Sequence, residues 1–269
     1  MEQQKQKCAA TSAGSKNTGK RKITVGSVWE SKSFGEFEVI SYEGYLDVTI
    51  RFKVTGFETK VSSSNVSSGE IKDKLSPFVC GVGFIGVGKY EGDSIYYQIW
   101  HSMMQRCYSR SVHKRQPTYA DCIVCPEWHN FQNFAKWCEL NHPGDSASYQ
   151  LDKDLKMIGN KIYSPGKCIF VTKLVNGFTT DRAAKRGDCM IGVYFEESRG
   201  KFQSYCSNPF TKKREFLGRH EDELKAHLAW RKRKSELAYE LAMIQDREEV
   251  KQALLNWKEA LDDNLIHPY

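Results

Sequence analysis

No run of about 18 apolar residues occurs in this chain, so no segment has the length and character to cross a bilayer as a helix. The opening stretch MEQQKQKCAATSAGSKNTGKRK lacks the apolar core of a secretory signal. Together these absences predict an intracellular, soluble protein. A disulfide framework is also missing: nine cysteines, an odd number, are spread irregularly from Cys8 to Cys206, which predicts reduced thiols that mostly fill cores. Charge of one sign is not in great excess, with 40 Lys and Arg against 33 Asp and Glu, so the net +7 matters only where it is clustered. Histidine is absent from the stretch of greatest chemical interest, since none of the seven lies between Leu151 and Asn176.

What is present suffices to fold. Hydrophobic residues make up 40% of the 269 and aromatics 12%, enough for two or three domains with real cores. Residues 1–21 are the exception, a polar run of Lys, Gln, Ser, Thr and Gly that reads as a flexible basic tail. Over residues 22–75, SVWES, GEFEVISY, LDVTIRFKV and FETKVSS are short β-branched and aromatic runs between turn signals, which predicts a small antiparallel β-barrel of four or five strands. Residues 76–93 form a glycine-rich connector, CGVGFIGVG, without the strand and helix that a dinucleotide fingerprint requires.

In the block 94–182, Ile95, Ile99 or Trp100, Met103 and Cys107 recur at helical spacing. A short strand follows around Cys122 to Cys125, then a helix burying Trp128, Phe131, Phe134, Ala135 and Cys138. The segment GNKIYSPGKCIFVTKLVN reads as a tight loop, a strand and a helix start, preceded by the charged run Asp152, Lys153, Asp154. Residues 186–245 carry three short strands, about Ile191 to Phe195, Lys201 to Tyr205 and Arg214 to Gly218, and a long helix with acids in its first turn. A last helix and tail fill 246–269. The fold class is therefore α+β.

The run YYQIWHSMMQRCY, VCPEWHNFQNF, LDKD, GNKIYSPGK and VN resembles phage-encoded HNH-type homing endonucleases over about 90 residues. The block GVYFEESRGKFQSY with REFLGRHEDELKAHLAW resembles the APETALA, or ethylene-response-type, DNA-binding domain over about 55 residues. The first resemblance implies a central ββα-metal (HNH) module, a weakly held Mg²⁺ or Mn²⁺, cleavage or nicking of double-stranded DNA, and action in the cytoplasm of an infected bacterial host. Mapped onto it, Asp152 falls on the metal-binding acid, Lys153 on the catalytic His, Lys167 on the middle Asn and Asn176 on the helix ligand; Asp154 lies alongside. Asp152 and Asn176 are the metal ligands this implies.

Two lysines thus stand where the family has its base and its Asn. A lysine of ordinary pKa, about 10.4, is protonated at pH 7 and accepts no proton unless its surroundings depress it strongly. An imidazole base would have to come from His101, His113, His129 or His142, and His129 on its aromatic helix reads better as a packing residue. Asp152 and Asp154 beside Lys153 also fit an ordinary solvated set of ion contacts. Cys122 and Cys125 have zinc-like spacing, but Cys107, Cys138 and Cys168 supply no second close pair, and two reduced core thiols are the alternative.

In the last domain Lys201 and Gln203 share a strand face, and Lys212, Lys213 and Arg214 follow at the next hairpin. The resemblance lays this basic sheet face in a major groove; a solvated face is the bland alternative. Arg231 to Lys234, RKRK, points all round its helix and fits phosphate attraction or plain solvation equally. The leading expectation is a phage-type DNA-binding protein related to HNH homing endonucleases, with metal-dependent nicking or cleavage of DNA left open. Its rivals are a non-cleaving DNA binder and a phage factor that captures a host protein through its N-terminal barrel and apolar connector.

Overall fold

A computed structural model describes residues 21–144, 149–180 and 188–263. The expected basic tail, the junction near 182–186 and the extreme C-terminus fall almost wholly outside the described residues. The chain divides into two compact units at Asp73. Among the described residues no helix is long and apolar enough to cross a membrane.

The first unit is an antiparallel meander in which β1 (Val28–Ser31), β2 (Gly35–Gly44), β3 (Asp47–Phe52) and β4 (Glu58–Val61) pair in sequence order. Alternation along β2 and β3 buries Phe37, Val39, Val48, Ile50 and Phe52 on one face, with Phe37 opposite Phe52 and Val39 opposite Ile50. The expected barrel does not close. β1 and β4 are each four residues long, too short to curl round and meet. Ser63, expected in the last strand run, instead opens α1 (Ser63–Ser68), because the Ser62 hydroxyl accepts the Asn65 N–H at 3.2 Å and caps a helix. The chain beyond α1 then covers the β1 edge: Lys32 N donates to Gly69 O at 3.0 Å, and Ser31 Oγ donates to Ile71 O at 2.8 Å. Gly69 sits at φ 68°, and a Cβ there would lie 2.7 Å from the Glu30 carbonyl.

The second unit opens with the glycine-rich connector, laid flat against α2 (Ile95–Tyr108) and α4 (Phe131–Asn141). A Cβ on Gly83 would meet Trp100 at 2.8 Å, and one on Gly86 would meet the Asn130 side chain at 2.0 Å. These glycines permit close approach. Val79 is buried, and Val82 and Ile85 pack on the same core as Trp100, Met103, Trp128, Phe131 and Phe134. α3 (Arg110–Arg115) and the two-residue strand β5 (Ile123–Val124) link the helices.

Next come β6 (Tyr149–Asp152), β7 (Ile162–Tyr163), β8 (Ile169–Thr172) and α5 (Lys173–Thr179). β7 pairs with β5 in parallel, while β6 and β8 form an antiparallel ribbon that runs straight into α5. Leu151 and Phe170 point from this ribbon into the core around Trp100. Ile169 and Val171, on the other face, enter a second core. That second core is completed by α6 (Glu223–Met243) and α7 (Glu248–Asp262), and α6 also packs under a three-stranded sheet of β9 (Val193–Glu196), β10 (Lys201–Ser207) and β11 (Arg214–His220). The blocks 94–180 and 188–263 therefore share apolar contacts. Lys156 pairs with Glu249 at 3.2 Å and Arg247 donates to the Phe170 carbonyl, tying α7 to the ribbon.

Arg233 on α6 holds the sheet to its helix. Its guanidinium reaches Glu215 at 2.7 Å, Glu236 at 3.1 Å and Glu240 at 3.2 Å. The Arg233 contact, then the Asn208 amide, holds the Glu215 carboxyl below the usual range. A carboxylate whose folded pKa is lowered stabilises above its unfolded value, about 4.3, and loses that contribution as pH falls through the folded value. Glu215→Gln is thus expected to lower the melting temperature at pH 7 and to lower it progressively less as pH falls below about 4.3, measured by circular dichroism.

Candidate functional site

The sequence-predicted residues from Asp152 to Asn176 come together around the β6–β8 ribbon, but in structural more than chemical roles. Asp152 Oδ1 accepts the backbone N–H of Asp154 at 2.8 Å and of Leu155 at 2.7 Å, an Asx-type turn that ends β6. Burial, the largest influence, pushes the Asp152 carboxyl up from its usual range, and the two amides pull it back. Lys153 follows and turns inward, only 6% exposed. Its ammonium donates to Asp154 Oδ1 at 2.6 Å, Asp154 Oδ2 at 2.7 Å and Asn160 O at 2.9 Å. It also lies 5.9 Å from the centre of the Tyr163 ring, which the Arg106 guanidinium approaches at 5.5 Å.

Asn160 was not singled out by sequence, yet it completes this arrangement. It is buried, and its Nδ2 donates to Lys153 O at 2.9 Å and Ile162 O at 2.8 Å while its Oδ1 accepts from Ile162 N at 3.2 Å. Lys153 and Asn160 thus clamp the loop 153–162 from both ends. After a Gly, an Asn looks like any exposed turn residue; only its burial reveals the clamp.

Lys153 cannot stand in for a family histidine as it is held here. Three acceptor contacts suit an ammonium with three N–H donors, whereas a general base must offer a lone pair toward the reacting water. Lys167 sits in the tight turn where Lys167 N and Cys168 N both donate to Ser164 O, at 3.1 and 3.0 Å. Its side chain makes no hydrogen bond or ion pair among the described residues. Asn176 on α5 does reach β6, but its Nδ2 donates to Gln150 Oε1 at 2.6 Å. Gln150 and Asp152 alternate with Leu151, so Gln150, Asp152 and Asn176 gather on one side of the ribbon.

The histidines lie elsewhere. His142 packs edge-on against Phe170 at 4.6 Å and Tyr149 at 6.2 Å, on the opposite side of the ribbon from Asp152. His129 shares the Val124 carbonyl at 3.0 Å and faces Tyr108, a packing role as expected. His101 stacks on Tyr97, and His113 bonds the Arg106 carbonyl.

As for metal, Asp152 Oδ2 and Asn176 Oδ1 carry no bond among the described residues, and both are hard oxygen donors of the kind Mg²⁺ and Mn²⁺ take. Two such protein ligands would leave the remaining positions around a cation to water. No group of three or more His, Cys, Asp or Glu is placed to hold a metal among the described residues. At Cys122 and Cys125 burial pushes both thiols up.

The second candidate is the sheet face of β9–β11. Register places Lys201 opposite Glu196, Gln203 opposite Tyr194 and Arg219, and Tyr205 opposite Phe216, all on the face away from α6, with Ser204 and Cys206 buried on the other. Lys201 and Gln203 do share a face, as their spacing predicts. Two of its cations are neutralised: Lys201 pairs with Glu221 at 2.8 Å and Arg219 with Glu196 at 2.6 Å. Lys212, Lys213 and Arg214 are exposed at the β10–β11 hairpin and form no ion pair among the described residues. Of the RKRK run, Arg233 is spent on Glu215, Glu236 and Glu240, and Lys234 donates to Phe178 O at 2.7 Å with its ammonium 3.6 Å from the Phe178 ring centre.

Sequence reasoning missed the aromatic content of this face. Tyr194, Tyr205 and Phe216 lie beside the cations, and Arg214 rests over Tyr194 and Tyr205 at 4.7 and 4.4 Å. The period-two spacing Lys201, Gln203, Tyr205 carried that signal. Comparison with models of known protein families, with curated proteins and with solved structures finds no match to this chain.

The clamp yields a stability test. Asn160→Ala strands the Lys153 and Ile162 carbonyls and is expected to destabilise the protein by about 2 kcal/mol. Lys167→Ala, in an exposed turn, is expected to stay within about 0.5 kcal/mol. Urea unfolding of the two variants measures both.

Proposed function

We propose that this chain is a DNA-binding protein whose contact surface is the hairpin end of the β9–β11 sheet, and in which the β6–β8–α5 unit acts as scaffold. The observation that carries this reading is the exposed trio Lys212, Lys213 and Arg214, uncompensated by acids while Lys201, Arg219 and Arg233 are paired internally. Cations without an acidic partner release condensed counterions from a phosphate backbone, which drives nucleic-acid binding. The resemblance to HNH homing endonucleases and ethylene-response-type domains agrees with DNA as the target. It also suggests a phage-type protein acting in the cytoplasm of an infected bacterium.

A nickase is the second reading, favoured by the oxygens Asp152 Oδ2 and Asn176 Oδ1 on one side of the ribbon. A Mg²⁺ or Mn²⁺ there would supply charge stabilisation at a phosphate. Asp152 and Asn176 would orient it, and the clamped loop would fix Asp152. What the unit lacks is a base, because the side chain at that position is a buried ammonium. For capture of a host protein through the connector, Val79, Val82 and Ile85 are already committed to the Trp100 core.

Replacing Lys212, Lys213 and Arg214 together by Ala is expected to weaken duplex binding and to reduce the slope of log affinity against log salt by about 2 to 3. Unchanged affinity and slope in a fluorescence-anisotropy salt series would remove the basis of the DNA reading. Incubation with supercoiled plasmid and Mg²⁺, Mn²⁺ or EDTA is expected to give no nicked circles above the EDTA control. Metal-dependent nicking that disappears in Asp152→Ala would establish the nickase reading in its place.

A further inference from the structure

The sheet face away from α6 carries a ladder of rings. Tyr194 and Tyr205 have centroids 5.9 Å apart, and Tyr205 and Phe216 have centroids 5.3 Å apart. Tyr194 is 42% exposed and Phe216 is 50% exposed, so the ladder opens on solvent where large apolar side chains are normally withdrawn. Guanidinium groups lie across it: Arg214 over Tyr194 and Tyr205, and Arg219 at 5.3 Å from the centre of Phe216. A bulge between Ser204 and Tyr205 sets Phe216, instead of Leu217, against Tyr205, which lines the rings up.

The hydrogen-bonding side chains on this face are already engaged. Gln203 accepts from the Tyr205 hydroxyl at 2.9 Å and bonds Glu196, Arg219 is held by Glu196, and Lys201 is held by Glu221. Reading base edges in a groove requires such groups to be available. Rings and the unpaired cations at the hairpin remain. In a duplex the base faces are hidden in the stack, so a side-chain ring can stack only on a base whose face is free. Cations along a strand with rings for its bases are the combination that grips single strands.

We infer that the Tyr194–Tyr205–Phe216 face binds unpaired DNA bases by stacking, with Lys212, Lys213 and Arg214 holding the adjoining phosphates. The inference rests on the DNA reading above and narrows its substrate to DNA with an unpaired stretch.

The test measures the full chain by fluorescence anisotropy, at one salt concentration, against four probes of one sequence: a duplex, the same duplex with a central unpaired bubble, the single DNA strand and the equivalent RNA strand. The bubble and the DNA strand are expected to bind about tenfold more tightly than the duplex. Phe216→Leu, which keeps apolar bulk but removes the ring, is expected to bring the bubble-to-duplex affinity ratio down to about one, as is Phe216→Ala, with the melting temperature of each variant recorded alongside. Equal affinity for bubble and duplex, stronger binding to the RNA strand, or a ratio that survives both Phe216 variants would overturn the inference while leaving duplex recognition standing. Absence of binding to every probe would overturn the DNA reading together with it.

Discussion

The second unit depends on a short strand that has no face of its own to give to water. Ile169, Phe170 and Val171 in β8 are each at most 2% exposed, with Phe170 buried against Trp137 and His142 and its two neighbours buried on the opposite side among the residues of α6 and α7. Each such side chain contributes roughly 1.5–3 kcal/mol of burial, and the backbone between them must be fully hydrogen-bonded because no water reaches it. β6 supplies the pairing on one side, and Arg247 supplies an added donor at the Phe170 carbonyl. From this follows the order of the rest: helices on both sides, and polar groups displaced to the ends of the ribbon.

At one of those ends lies Lys153. Sequestering an ammonium is costly unless each of its donors finds an acceptor and a counter-charge is near. Asp154 supplies the charge, Asn160 the carbonyl, and Tyr163 an aromatic face. Because Asp154 is half exposed to water, the pair avoids the full penalty of two buried charges. A fully matched lysine of this kind specifies one conformation for the loop 153–162, and for the same reason it is poorly suited to catalysis. Chemistry at a phosphate requires a group with an unsatisfied valence pointing outward, and this unit turns its strongest polar group inward.

Much of this was legible in the sequence where burial is one-sided. The alternation in β2 and β3 and the helical spacing of Trp100, Met103 and Cys107 each follow from a periodicity set by one apolar face, whereas Ile95, at the start of α2, lies exposed; the acids opening α6 follow from the helix dipole. The barrel failed because strand length, not pattern, decides closure, and four-residue strands at both edges cannot meet. The β6–β8 pairing could be read only as loop and strand, since a ribbon buried on both sides has no alternation to betray it. The connector's glycines record what they lie against, Trp100 and Asn130, and that is tertiary information. On the β9–β11 sheet the aromatic residues look like core in composition; only the register with Lys201 and Gln203 turns them outward.

Charge shows the same division between what composition states and what placement decides. A net +7 over 269 residues says little about partners. The RKRK run is the densest basic segment of the C-terminal helices, and it is where a count of charges would place a phosphate contact. Arg233 there is surrounded by three carboxylates, and Lys234 is turned onto Phe178. At the β10–β11 hairpin the count is smaller, but Lys212 takes a left-handed backbone at φ 58° and the Asn208 side chain accepts the Phe210 and Thr211 amides, and the cations of this turn form no ion pair among the described residues. Long-range attraction depends on charge left uncompensated at the surface, and local pairing screens the rest at contact distance. It is therefore the hairpin, with fewer cations, that keeps its positive charge clear of any ion pair among the described residues.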